Sequence, residues 1–301
     1  MRTGERYILA HDLGTSGNKA TLYDEAGNLR CSAVCGYETR YPRDRFVEQD
    51  PEDWWRAVCK STRDLMEKAG IGPEAVLGVS FSGMMMGCLP VDGAGKALRP
   101  MILWADTRAD RQEREMIARA GMARGYRITG HRLSASYSAA KLLWVRDNEP
   151  EVYEKTGKML NAKDYIVFRL TGEFATDYSD ASGTNLLDIE KKVWSDEMLR
   201  VLDIPARLLP PLHRSSDVIG GVTEEAARAT GLLAGTPVVL GGGDGSCACV
   251  GAGVVRPGRA YNVLGSSSWI SLAAEKPLFD EEMRTFTWVH LDEKLYTPCG
   301  T

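Results

Sequence analysis

Two glycine-rich turns, far apart in the chain, carry the residues best suited to chemistry. Near the N-terminus, residues 12–19 read Asp-Leu-Gly-Thr-Ser-Gly-Asn-Lys and place a carboxylate, two hydroxyls and a cation on one tight turn between strands. Glycines let the backbone approach a phosphate, whose oxygens then meet successive N–H groups. The turn predicts a phosphate site in which Asp12 holds Mg²⁺ through water. A plain hairpin turn is the alternative.

The second turn, Gly-Gly-Gly-Asp-Gly over residues 241–245, follows the apolar run Val238–Leu240 and precedes a predicted helix over 246–250. Open α/β folds bind ligands at the carboxyl ends of strands, ahead of helix N-termini. A carboxylate there can accept or orient the proton of a hydroxyl that attacks a phosphoryl group. We therefore predict Asp244 as a catalytic base, with simple capping of the next helix as the alternative.

Apolar patterning predicts the elements that position these turns. Asp50 is a predicted helix cap, Pro51 the first helical residue and Gly70 the stop. The predicted strands are 7–10, 19–23, 29–37, 76–81, 238–240, 260–264 and 269–272, and further helices are predicted over 111–120, 138–148 and 163–171. Periodicity alone indicates a mixed α/β protein.

Residues 136–148, Ser-Tyr-Ser-Ala-Ala-Lys-Leu-Leu-Trp-Val-Arg-Asp-Asn, resemble the first signature of the FGGY family of carbohydrate kinases. Taken alone they predict an amphipathic helix with Leu142, Leu143 and Val145 turned inward, which core packing would explain. Both glycine-rich turns fall in the order that this family uses, so the resemblance extends over essentially the whole chain, with xylulose kinases as the nearest pattern.

The resemblance implies an α/β fold of the actin-like and Hsp70-like ATPase class, a ribonuclease H-like sugar kinase fold with a β-β-β-α-β-α-β-α core and a truncated second lobe. Residues 1–251 would form the N-terminal domain, which binds sugar and phosphate. Residues 252–301 would be the incomplete beginning of the C-terminal domain, where the strand–loop–strand pattern of the N-terminus is repeated.

The resemblance also implies ATP and Mg²⁺ as cofactors and assigns roles to the two turns. Asp12 would serve the metal and the phosphates, Lys19 would neutralise charge, and Asp244 would be the catalytic base beside the sugar. The remaining phosphate-binding residues would be Gly14, Thr15 and Ser16 in the first loop and Gly265, Ser266 and Ser267 in a second loop that faces it.

Residues 80–87, Ser-Phe-Ser-Gly-Met-Met-Met-Gly, align with the segment in which xylulose kinases show Gly-Gln-Met-His-Gly. Met84 and Met86 stand at the Gln and His positions, and Met85 agrees. We expect Met85 and Met86 at the sugar, with core packing as the alternative for a methionine stripe. Losing the two polar groups, and carrying Gly245 where xylulose kinases have Asn, argues against xylulose as the substrate.

Two further segments resemble family blocks. Trp104 and Asp106 match a Trp-x-Asp-x-Arg segment beside the substrate pocket, and a surface pair between Asp106 and Arg108 is the alternative. Residues 172–182 resemble a block of structural rather than catalytic weight.

Composition excludes several other classes of protein. A net charge of −4 and a pI near 5.7 argue against a nucleic-acid surface. The N-terminus lacks the apolar core of a signal peptide, and no apolar run approaches the ~20 residues that span a bilayer. Seven cysteines without Cys-x-x-Cys spacing disfavour disulfides and zinc. We expect a cytoplasmic protein whose partner is a small sugar or polyol, not nucleic acid or membrane, with a homodimer left open.

The leading hypothesis is an ATP-dependent carbohydrate kinase that transfers the γ-phosphate to a hydroxyl of a sugar, ketose or polyol. The first alternative is a nonenzymatic fragment, or half of a split sugar kinase, that lacks the adenosine-binding lobe. The second, a chaperone-like or actin-like ATPase, shares the phosphate loops but has no need of the 136–148 helix or of Asp244 beside a sugar pocket.

Overall fold

The computed structural model describes residues 5–264 and 268–300. Within these ranges the α-helices are α1 (Pro51–Ala69), α2 (Asp110–Ala120), α3 (Met122–Thr129), α4 (Ser138–Asn148), α5 (Pro150–Lys155), α6 (Ala162–Thr171), α7 (Tyr178–Ser182), α8 (Asp196–Leu202), α9 (Glu224–Thr230) and α10 (Asp244–Gly251). Short 3₁₀ helices cover Pro73–Ala75 and Ala206–Leu208.

The strands of the first half are β1 (Tyr7–Leu13), β2 (Gly17–Asp24), β3 (Leu29–Gly36), β4 (Glu48–Gln49), β5 (Val76–Gly83), β6 (Leu89–Val91), β7 (Met101–Ile102), β8 (Lys158–Leu160) and β9 (Thr176–Asp177). Those of the second half are β10 (Leu187–Asp188), β11 (Val193–Trp194), β12 (Leu212–His213), β13 (Val218–Gly221), β14 (Pro237–Val239), β15 (Gly242–Gly243), β16 (Ala260–Leu264), β17 (Ser268–Leu272), β18 (Thr285–Val289) and β19 (Tyr296–Gly300).

The main sheet has the order β13-β14-β5-β1-β2-β3, and β15 pairs with the end of β5. β1, β2 and β3 are antiparallel neighbours, whereas β5 runs parallel to β1, and β14 and β15 run parallel to β5. The predicted order of three adjacent strands, a helix and a further strand is therefore confirmed.

Alternation along β1 gives the sheet two different faces. Leu9 and Leu13 are fully buried on the side that packs against α1, and Ile8 and Asp12 are exposed on the other side. The sheet therefore keeps one face for the core and leaves Asp12 accessible at its carboxyl edge.

Helix α1 begins and ends where its capping residues predict. The Asp50 side chain accepts a hydrogen bond from the N–H of Glu52, Pro51 is the first helical residue, and Gly70 is left-handed with a φ of 64°. This helix covers β2 and β3 and buries Trp54 and Leu65 completely. The cap and the stop follow from local chemistry, which is why the sequence locates them correctly.

The helices predicted over 111–120, 138–148 and 163–171 are also found, each within one residue of its expected bounds, and the helix predicted over 246–250 begins two residues earlier, at Asp244. On α4, Leu142, Leu143 and Val145 are fully buried in a second core formed with α2 and α8. The signature segment is thus a core helix of the region between β7 and β13.

The last part of the chain forms a separate sheet in the order β16-β17-β19-β18. β16 and β17 pair antiparallel, as the repeated strand–loop–strand pattern predicts, but Gly265, Ser266 and Ser267 of the predicted second phosphate loop lie outside the described residues. The division of the chain at residue 251 stays a prediction.

The described helices include none long and apolar enough to cross a membrane. All seven cysteines, which lie within the described ranges, are free thiols.

Candidate functional site

Three parallel strands bring the two predicted carboxylates to one edge of the sheet. Leu13 of β1 is in register with Gly83 of β5, and Gly83 is in register with Gly243 of β15. Asp12 and Asp244 therefore lie at the same carboxyl edge, two strand spacings or roughly 10 Å apart across β5. Asp12 and Asp244, which are more than two hundred positions apart in the sequence, therefore face the same space.

The glycines before Asp244 are required by close packing. Gly241 has a φ of 72°, and a Cβ atom there would lie 1.8 Å from the carbonyl oxygen of Phe81. A Cβ at Gly243 would lie 2.5 Å from the Met85 sulfur. Since real Cβ contacts are almost never this short, a side chain at Gly241 would push the turn, and Asp244 with it, away from β5, whereas a side chain at Gly243 would displace that of Met85.

A series of hydrogen bonds supports the turn that precedes Asp244. The hydroxyl oxygen of Ser179 accepts the N–H of Gly243 at 3.0 Å, and the hydroxyl itself donates to Asp177. Ser215 donates to the same Asp177 oxygen at 2.7 Å. The 172–182 block, which sequence indicated as structural, thus supports the backbone that precedes Asp244.

Asp177 belongs to a buried charge cluster that the sequence analysis missed. Lys163 Nζ lies 2.6 Å from Asp164, 3.1 Å from Asp177 and 3.5 Å from Asp180, and all four side chains are buried. Burial raises the pKa of Asp180 well above its ordinary value, and the pKa of Asp164 is raised by the same cause. The signal in the sequence is a Lys-Asp pair in the first turn of a mostly apolar helix.

Asp244 is the first residue of α10, and Gly243 rather than Asp244 occupies the N-cap position. Asp244 is exposed, and its carboxylate accepts the N–H of Gly245 at 2.8 Å. Displacement of water by the surrounding protein raises the pKa of Asp244 to about 6; the Gly245 bond opposes this shift, and the Asp12 charge adds to it. At neutral pH the carboxylate is ionised and able to accept a proton.

The 14–16 turn uses its carbonyl oxygens for internal bonds. Gly14 O accepts the Tyr37 hydroxyl at 2.5 Å, Thr15 O accepts Gln49 Nε2 at 2.6 Å, and Ser16 O accepts the Tyr37 N–H at 3.3 Å. Because a trans peptide points its N–H opposite to its carbonyl, the N–H groups of Thr15 and Ser16 face the other way, as in anion-binding turns. The turn is a hairpin connection, and its binding of phosphate stays a prediction; we call it the phosphate-type turn after that prediction.

Asp12 and Lys19 are exposed partners across the β1–β2 ladder, on the open face of the sheet. Magnesium in phosphate-transfer sites is held by one or two carboxylates together with phosphate oxygens. In the part of the chain that the structure describes, no group of three or more His, Cys, Asp or Glu residues could hold a metal by itself. A single open carboxylate beside a phosphate-type turn fits an ion that arrives with its phosphates.

Trp104 and Asp106, the two site candidates of the 103–108 segment, lie in different environments in the structure. Trp104 is 42% exposed, and its Nε1 donates to the Thr15 hydroxyl at 3.1 Å, next to the phosphate-type turn. Asp106 is fully buried: its carboxylate accepts Arg108 Nη2 at 2.7 Å and the N–H of Val47 at 2.6 Å. The expectation that Asp106 contacts the substrate is wrong, and so is the alternative of a surface pair, because this ion pair lies in the interior.

The three methionines after β5 also separate. Met84 is 1% exposed and belongs to the main core, so the core interpretation is correct for this residue. Met85 and Met86 instead pack with Tyr137 and Trp288. We call these four residues the apolar wall.

The apolar wall adjoins Asp244. A Cβ at Gly245 would lie 3.8 Å from the Met85 sulfur and 3.9 Å from Trp288 Nε1. Tyr137 was part of the predicted signature but had no assigned role, and Trp288 carried no sequence signal because it comes from β18, more than 150 residues later. The site therefore combines an ionisable acid with an apolar surface.

A ribonuclease H-like sheet with a phosphate-type turn after β1 and an acid on a glycine turn at the same edge defines a sugar kinase fold of the actin-like and Hsp70-like ATPase class. A family model for the N-terminal domain of the FGGY family of carbohydrate kinases matches residues 7–251. The chain belongs to this family, as its signature helix predicts.

Individual relatives agree with this assignment. The xylulose kinase of Escherichia coli (strain K12) is 37% identical over 279 residues, which are 93% of this chain and 57% of that protein. Among solved structures, a xylulose kinase from Rhodospirillum rubrum superposes with a TM-score of 0.93 at 28% identity, and a gluconate kinase from Lactobacillus acidophilus with a TM-score of 0.92 at 27% identity. Each superposition covers 98% of this chain and 60% or 59% of the neighbour.

The glycine turn generates a stability prediction that does not depend on activity. Gly241→Ala should lower the free energy of unfolding by about 2 kcal/mol or more, because it adds a left-handed alanine and a clash with β5. Gly251→Ala is the matched control: it lies in α10 with nothing within 4 Å of an added Cβ, and it should be neutral or stabilising by up to about 1 kcal/mol. Urea unfolding of both variants tests this, and equal stabilities would contradict the packing described for the turn.

Proposed function

We propose that this protein acts as an ATP-dependent carbohydrate kinase that transfers the γ-phosphoryl group to a hydroxyl of a sugar, ketose or polyol. The observation that carries the proposal is the placement of an ionisable, accessible Asp244 at the same sheet edge as a phosphate-type turn. Family membership supports it, as do relatives described as kinases of xylulose and gluconate.

Phosphoryl transfer needs positioning and charge stabilisation more than covalent help from the protein. Asp244 would accept the proton of the substrate hydroxyl as that oxygen forms its bond to phosphorus, and the bond from phosphorus to the ADP oxygen breaks. Bound MgATP supplies the phosphoryl group and the diphosphate leaving group. The N–H groups of Thr15 and Ser16 would hold phosphate oxygens, Lys19 would neutralise charge, and Asp12 would hold the Mg²⁺.

The apolar wall would pack against the carbon skeleton of the sugar and exclude water from the reacting hydroxyl. Trp104 lies on the phosphate side, where its bond to Thr15 would help to order the turn. Because the chain spans 57% of the length of its E. coli relative, activity is tested in this chain and in a form extended to the length of its relatives. Sugar binding without turnover in both forms would favour the nonenzymatic alternative.

Asp244→Asn should keep the fold and sugar binding but lower turnover by roughly 10²–10⁴-fold, the range for loss of a positioned base. In the unmodified protein kcat/KM should rise with pH through about 6, because the base acts only when its proton is lost. The variant should lack this rise. Steady-state rates between pH 5 and 8 test both expectations.

Asp64→Asn is the matched control, since it removes the same charge from an exposed position on α1, where Asp64 pairs with Lys60. Normal turnover in Asp244→Asn would exclude Asp244 as the base. A similar loss in both variants would attribute the effect to net charge.

Asp12→Ala should weaken MgADP binding while leaving sugar binding largely intact, because Asp12 lies on the phosphate side of the edge. Calorimetry with MgADP and with sugar, titrated separately, distinguishes the two ligands. Equal loss of both would indicate a folding defect and would contradict the assigned role.

The apolar wall also generates a prediction on the choice of substrate. A sugar hydroxyl that meets Met86 instead of a hydrogen-bonding side chain stays unpaired, at a cost of about 1–3 kcal/mol. D-xylulose should therefore be a poor substrate, and Met86→His should raise activity toward it relative to the native sugar. The φ of 62° at Met86 is tolerated by histidine better than by most residues.

Met84→Gln is the matched control, because Met84 lies in the core: it should destabilise the protein and leave the preference for D-xylulose unchanged. A kcat/KM for D-xylulose above ~10⁴ M⁻¹s⁻¹ in the unmodified enzyme would refute the argument.

A further inference from the structure

Lys141, in the middle of the signature helix α4, is a fully buried lysine. Its Nζ donates to the carbonyl oxygen of Met86 at 2.7 Å and to that of Ser136 at 2.5 Å. Both acceptors are neutral main-chain oxygens. Burying an ammonium group is strongly unfavourable unless it is well bonded, so a methionine of similar volume would be the simpler core residue here.

The first acceptor belongs to a strained residue. Met86 has a φ of 62°, a left-handed conformation that is unfavourable for a residue other than glycine. The next peptide is also fixed, because Gly87 N–H donates to Asn161 Oδ1 at 3.0 Å. The Lys141 bond therefore holds the Met86 carbonyl in the orientation that this conformation requires.

The second acceptor lies directly before Tyr137, the N-cap residue of α4. One amine thus ties together the carbonyl of Met86 and the carbonyl that precedes Tyr137. Met86 and Tyr137 are both members of the apolar wall but come from segments about fifty residues apart. The bridge fixes their separation.

We propose that Lys141 is a positioning residue that joins the two halves of the apolar wall and thereby sets the affinity and selectivity for the sugar. This inference rests on the proposed function, since the wall matters only where a sugar binds beside Asp244. It gives the lysine of the signature segment a role that core packing does not require.

The bridge persists on both sides of neutral pH. Burial lowers the pKa of Lys141 to about 7, opposed mainly by the carboxylate of Asp106. A neutral amine still carries two N–H bonds and can donate to both carbonyl oxygens. The geometry therefore does not depend on the charge of the lysine.

The test compares Lys141→Met, which keeps the volume and removes the donors, with Leu143→Met, a volume-conserving change at a fully buried position of the same helix. Calorimetry with D-xylulose, D-ribulose, D-fructose and glycerol identifies the tightest sugar for the unmodified protein. Lys141→Met should raise the Kd for this sugar at least 10-fold and reduce the differences in Kd among the four sugars. The affinity for MgADP should stay unchanged. Leu143→Met should alter none of these values.

A second measurement needs no ligand. Glycine adopts a positive φ freely, so Met86→Gly removes the strain that Lys141 is proposed to hold. The fall in melting temperature caused by Lys141→Met should be smaller in the Met86→Gly background than in the unmodified protein. Equal falls in both backgrounds, or equal sugar affinities for Lys141→Met and Leu143→Met, would overturn the proposal.

The two measurements also separate this inference from the proposed function. An unmodified protein that binds none of the four sugars, in this chain or in the extended form, would count against the proposed function and the selectivity role together. Non-additive melting temperatures would then still support the bridge between Lys141 and Met86, and additive ones would refute it.

Discussion

The approach of the backbone at Gly241–Gly243 to the end of β5 is the contact on which the rest of the site depends. A side chain at Gly241 would collide with the Phe81 carbonyl of β5, and a side chain at Gly243 would have to displace that of Met85. The close pairing has a chemical consequence, because it places Asp244 at the carboxyl edge of the main sheet, where Asp12 of β1 also lies. Both acids are then positioned by main chain rather than by long, mobile side chains.

The buried cluster of Lys163 with three aspartates is better explained by its role in positioning the turn before Asp244 than by a contribution to stability. One lysine among three aspartates leaves excess negative charge in the interior, and replacing buried ion pairs with apolar groups is often neutral or stabilising. What the cluster provides is orientation, because Asp177 bonds Ser179 and Ser215, and Ser179 bonds the Gly243 N–H. A purely apolar interior would offer no acceptor for that N–H group.

Much of the fold could be predicted because its signals are local. The cap at Asp50 and the stop at Gly70 each involve neighbours in sequence, and the structure follows them. The site was less predictable where it depends on distant partners. The burial of Asp106 requires the N–H of Val47, 59 residues earlier, and Trp288 reaches the apolar wall from another sheet. β5 ends at Gly83, so strand alternation does not determine where the methionines that follow it lie: Met84 joins the main core, whereas Met85 and Met86 pack with Tyr137 and Trp288.

In the proposed kinase, the apolar wall would affect both the recognition of the sugar and the basicity of Asp244. The main cause of the raised pKa of Asp244 is the displacement of water by surrounding protein, and the apolar wall forms part of that surrounding. A sugar packed on the wall would displace more water and make the carboxylate a stronger base toward the hydroxyl beside it. A cation at Asp12 would act in the opposite direction, since the Asp12 charge contributes to the shift. The basicity of Asp244 would then be highest once sugar is bound and would be moderated as MgATP completes the site, so residues that shape the wall would influence the chemical step as well as binding.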